Sequence, residues 1–169
     1  MPISVYSQSV PVFVRLLGNL SAILDKTAKH CADAKIDPAV LLGSRLFPDM
    51  FALSRQVQLA SDFAKGGAAR LGGVDVPKYD DNEVTIDDLK ARIARTVAFV
   101  QSVGEAQMAG ADARTITVPL RGEPTSFDGL TYLNNMVLPN FYFHLTTAYN
   151  ILRHNGVALS KGDFVGALK

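Results

Sequence analysis

Apolar and small residues recur along this chain at steps of three and four, which is the spacing of core-facing helices. From about Ser9 to Lys35 the stripe is Val10, Phe13, Leu17, Leu20, Leu24, Thr27 or Ala28, Cys31 and Ala34. Ser9 is placed to cap this helix, and Pro11 is tolerable in its first turn. Asp37-Pro38 then reads as the cap and first residue of a short helix, and RLFPD breaks the chain again. A second long helix is expected from near Asp49, with Met50, Leu53, Val57, Ala60, Ala64, Gly67 and Leu71 on its stripe and Gly72-Gly73 as its stop. After the polar connector VDVPKYDDNE, Thr85 to Asp88 forms a capping box with aspartate in the usual glutamate position. It opens a third helix, striped by Ile86, Leu89, Ile93, Val97, Val100 and Val103 or Gly104.

Between Ala109 and Gly129 the pattern lapses into a loop-rich crossover, ADARTITVPLRGEPTSFDG, in which Thr115 to Leu120 alternates enough for a short strand. A connection of this length suggests a lid or rim. The fourth helix is expected from Leu130 to about Asn155, with Leu133, Val137, Phe141, His144, Ala148 and Ile151 on one stripe, a kink at Pro139 and a stop at Gly156. The tail LSKGDFVGALK has room for one further helical turn. Four long amphipathic helices pack most naturally as an all-α four-helix bundle, one domain over residues 1–169.

Composition narrows the function classes. Hydrophobic residues make up 48% and charged residues 20%, with a net charge of +1 from interspersed acids and bases. No nucleic-acid or polybasic membrane face stands out from such a mixture. No apolar run approaches the roughly 20 residues needed to cross a bilayer. The lone Cys31 forms no internal disulfide and the opening residues lack the pattern of a secretory signal, which points to the cytoplasm. On a core stripe Cys31 reads as an inert small hydrophobe.

The histidines carry the candidate chemistry. His144 and His154 on one straight helix are about 15 Å apart and point about 80° apart, so they cannot share an ion. The position one turn beyond His144 is Ala148, which has no donor atom. On its stripe His144 is either a buried neutral imidazole or a ligand-binding or catalytic group. His154, with Arg153, complements a helix C-terminus, and His30 has no visible partner. Tyr142, Phe143 and Tyr149 at helical spacing read as packing more readily than as a cofactor-stacking box. Gly66-Gly67 and Gly72-Gly73 lack the preceding strand of a phosphate loop, and close helix packing and helix termination explain them better. No spacing identifies a nucleophile triad or a carboxylate pair.

Two blocks, RLFPDMFALSRQVQLASDFAKGGAARL from Arg45 to Leu71 and LPNFYFHLTTAYNILRHNG from Leu138 to Gly156, followed by Lys161 to Phe164, resemble an uncharacterised bacterial family of the DinB-like (DinB/YfiT) superfamily. The resemblance implies an up-down-down-up bundle with a long crossover between the second and third helices, and a homodimer. It also implies a divalent metal held by three histidines, one on the second helix and an HxxxH pair on the fourth, and in some members thiol-dependent transferase or isomerase activity. Here His144 matches the first histidine of that pair, Ala148 replaces the second, and the second helix offers Gln56, Gln58 and Asp62 but no histidine. One imidazole with amides is a poor transition-metal set, so no metal or other cofactor is expected.

The expectation is therefore a metal-free small-molecule-binding protein with a degenerate metal site around His144. Gln56 and Gln58 would supply hydrogen bonds, Tyr149 a wall, and the Arg121 to Phe127 loop a cover. Alternatives are a metal- or thiol-dependent transferase-type enzyme, whose catalytic residues the sequence leaves unnamed, and a dimeric interaction protein with a vestigial pocket.

Overall fold

The structure, a computed structural model, describes residues 3–167. Helix α1 (Val5–Ala34) starts four residues before the expected Ser9, because Ser4 and Ser7 form a reciprocal capping box. Ser9 is instead buried inside the helix, its hydroxyl donating to the Val5 carbonyl at 2.6 Å. Pro11 accordingly falls in the second turn rather than the first. It faces outward, so the carbonyl it leaves without an intrahelical donor is on the side open to water. Asp37 caps α2 (Pro38–Leu42) as its sequence suggests. Helix α3 (Leu53–Gly72) begins later than Asp49 and ends at Gly73, whose φ of 68° is the left-handed stop expected there.

Thr85 and Asp88 form the capping box of α4 (Ile86–Ser102). A short 3₁₀ turn follows at Glu105–Met108. Residues 109–129 hold the short strand expected at Thr115 to Leu120, together with a second strand that makes the segment a hairpin rather than a loop-rich crossover. Strand β1 (Thr115–Leu120) pairs antiparallel with β2 (Glu123–Asp128), and both residues of the turn, Arg121 and Gly122, have positive φ (52° and 89°), as a tight hairpin requires. Then come α5 (Gly129–Tyr132), a π turn at Leu133–Val137, α6 (Leu138–His154) and α7 (Lys161–Val165). The disturbance expected at Pro139 takes the form of that widened turn: Leu138 donates back to Leu133, five residues earlier, just before the proline whose donor is missing.

The buried apolar side chains form one cluster. Phe13 of α1 packs edge-on against Phe141 of α6, with ring centroids 4.9 Å apart. Asp62 of α3 meets Arg92 of α4, and ten residues further along α3 Gly72 abuts Val103, so these two helices make contact in the same residue order. Gln56, Gly67 and Arg70 of α3 meet His144, Val137 and Tyr132, so α3 contacts the α6 arm in the opposite order. The long return lies between α3 and α4: Tyr79 lies over Lys65, and Asp81 and Glu83 reach Arg55 and Gln58 near the start of α3.

Candidate functional site

Two neighbouring sites share the α3 helix. Gln56 and Phe63 are two turns apart on it and face the same side, toward α6. His144, 8% exposed, sits between them. Gln56 donates through Nε2 to the Phe51 carbonyl at 3.1 Å, which turns its Oε1 toward His144 Nδ1 at 2.8 Å. With an acceptor opposite, Nδ1 carries the proton and Nε2 holds the lone pair. The Phe63 ring stacks on the imidazole at 5.6 Å between centroids, and Phe143 meets it edge-on at 5.3 Å. Burial, and then the nearby Arg55 charge, push the His144 pKa down, so the ring is neutral near pH 7.

The other predicted ligand residues are not brought to His144. Gln58 is about 200° around α3 from Gln56. Its amide bonds Arg55 at 3.1 Å and Glu83 at 2.9 Å instead. Tyr149 packs on Phe164 of α7 at 6.0 Å, turned away because five residues along a helix is not a shared face. The Arg121 to Phe127 loop is the hairpin turn and β2; the part of the hairpin that borders a cavity is Val118-Pro119 of β1. His154 is exposed in the last turn of α6 beside Arg153, and Cys31 is buried, with its thiol pKa raised by burial and by Asp37.

The donors around His144 do not fit a divalent metal. Only the His144 Nε2 lone pair is free to ligate, Ala148 offers nothing, Gln56 is an amide, and among the described residues no three His, Cys, Asp or Glu side chains stand together as a ligand set.

Phe63 is also a wall of the second site, an open cleft of about 660 Å³. One side is α3, with Leu59, Phe63, Gly66 and Arg70; the connector contributes Val76 to Asp80; Val118, Pro119, Tyr132 and Met136 close the far side. Arg92, 1% exposed, pins the connector: it binds Glu83 at 3.0 Å, Asp62 at 2.9 Å and Asp81 at 3.0 Å, and the Asp80 carbonyl at 3.2 Å. Lys65, also buried, pairs with Asp62 at 3.0 Å and lies over the Tyr79 ring at 3.8 Å, close enough for the cation to be drawn to the ring face. Elsewhere in the cleft wall Arg70 Nη1 donates to the Tyr132 hydroxyl at 3.2 Å. None of Arg92, Lys65, Arg70 or Tyr132 is among the residues the sequence points to. The available signal is Arg92 itself, a charge one turn beyond core-facing Leu89, opposite an acidic connector.

A helical chain with this arrangement is a DinB-like domain. A crystal structure of a DinB family member protein from Shewanella denitrificans is similar to it at 44% identity with a TM-score of 0.92, over 96% of this chain and 92% of that one. Residues 5–165 match the family model described as Domain of unknown function (DUF1993), and the chain belongs to that family. No curated protein matches it. Among the described residues no helix is long and apolar enough to cross a membrane.

Proposed function

We propose that this protein is a metal-free, small-molecule-binding bundle of up-down-down-up arrangement, with its ligand in the cleft beside Phe63. The matched contact order of α3 with α4, its reversed order with α6, and the return of the connector along α3 support that arrangement. The observation that carries the function is the cleft, whose volume of about 660 Å³ is in the size range of small-molecule sites and whose walls are mostly apolar with a few convergent polar groups. His144 marks the degenerate metal position behind the Phe63 wall, where Ala148 stands in place of a second histidine and α3 brings the amide of Gln56.

The reading is tested with the neutral fluorophore N-phenyl-1-naphthylamine. One saturable site per chain is expected, lost in Leu59→Trp, which fills the cleft from α3. Absence of saturable binding, or binding indifferent to that substitution, contradicts it.

A second reading, a transferase-type enzyme, is favoured by His144 Nε2. This lone pair has no partner among the described residues, while Nδ1 is oriented by Gln56, the arrangement of a general base. We also propose a homodimer contact through the exposed aromatic side chains Phe47, Phe51 and Phe143, which are 64%, 57% and 55% exposed. Sedimentation of the wild type against Phe47→Asp tests it, a dimer giving way to a monomer. The unpaired, buried Cys31 suits a reducing compartment such as the cytoplasm.

A further inference from the structure

The corner of the cleft where Arg70 meets Tyr132 has donors in excess of acceptors. The Tyr132 hydroxyl is buried and accepts from Arg70, yet it donates to nothing among the described residues. Burial raises its pKa, so the phenol keeps the proton it has to give. Arg70 has no carboxylate within ion-pair distance among the described residues, which leaves the rest of its guanidinium fork for another partner. The other charges of the wall are differently placed. Lys65 and Asp62 are paired, Asp62 is also held by Arg92, and Asp80 is exposed at the rim with Lys78.

Gly66 makes this corner possible. A Cβ there would lie 2.6 Å from Arg70 Nη1, so the missing side chain is the space in which the guanidinium folds back along its own helix. Beyond it, Phe63, Met136 and Val118 present apolar surface.

We infer that the cleft takes an organic anion with an apolar body, its carboxylate seated on Arg70 and the Tyr132 hydroxyl and its body along Phe63, Met136 and Val118. The inference rests on the reading of the cleft as the ligand site. A positioned guanidinium and a buried phenol together form charge-assisted hydrogen bonds to a carboxylate, which a neutral alcohol of the same length cannot match.

The test is a methyl-NMR titration of the full chain, observing Met136 and Val118, with octanoate, octan-1-ol and octylammonium as probes. Octanoate is expected to shift both signals and to bind roughly tenfold or more tightly than octanol. Arg70→Met should bring octanoate down to the octanol level. Gly66→Ala should weaken octanoate by a larger factor than octanol, with the melting temperature unchanged or raised, which separates loss of the corner from loss of the fold. If octanol or octylammonium binds the wild type as tightly as octanoate, the anion assignment is overturned and the cleft stands. If none of the three moves Met136 or Val118, both fall.

Discussion

His144 Nδ1 is 2.8 Å from Gln56 Oε1, and Gln56 is held in that orientation by the Phe51 carbonyl. The pair joins α3 to α6 where the superfamily resemblance implies a metal, and it fixes the imidazole as the neutral tautomer with its proton on Nδ1.

A pH dependence follows from this pair. The folded-state pKa of His144 lies below its ordinary value, with burial the main cause and Arg55 the next. The unfolded chain therefore binds more protons in the window from about pH 6.5 downward, and stability falls as pH drops through it. Urea midpoints across this window should decline in the wild type and less steeply in His144→Gln. Identical slopes would show that the ring is not held neutral.

Arg92 is nearly fully buried against Glu83, Asp62 and Asp81, with Glu83 itself buried. Removing the cation strands carboxylates and frees the connector that forms one side of the cleft. Arg92→Met should cost about 3–5 kcal/mol in urea unfolding, the range for breaking a buried pair on one side. Arg92→Lys should recover only part of this, since one ammonium cannot span three carboxylates.

Adjacent glycines should respond in opposite directions. At Gly67 an added Cβ would lie 2.5 Å from Val137 Cγ1 in the core. Gly67→Ala should therefore destabilise by about 1–3 kcal/mol despite its better helix propensity. At Gly66 the obstacle is the movable tip of Arg70. Gly66→Ala should be neutral or stabilising by up to about 1 kcal/mol. Chemical denaturation of the two single variants checks the contrast.

Much of the helical frame is readable in the sequence because it rests on local chemistry. The Thr85 and Asp37 caps, the Gly73 stop and the stripe from Leu133 to Ile151 are set by residues within a turn or two of each other. The start of α1 is not, because a Ser4–Ser7 box competes with Ser9, and proline in a second turn is legible only once its solvent side is known. The strand EPTSFD carries no apolar alternation; its pairing is dictated by the Arg121-Gly122 turn and by β1. His144 facing Gln56 is within reach of helix geometry, and the same geometry excludes Gln58 and Tyr149 from that face. The cleft is not legible, because it exists only where the connector and the hairpin, distant in sequence, are both laid against α3.

Metal binding by untagged protein is the most direct test of the account, whose centre is that the His144 position works without an ion. Protein incubated with zinc or nickel, dialysed and analysed by elemental mass spectrometry should retain only trace metal, and His144→Ala should not change that. One equivalent per chain, lost on substitution of His144, would contradict it.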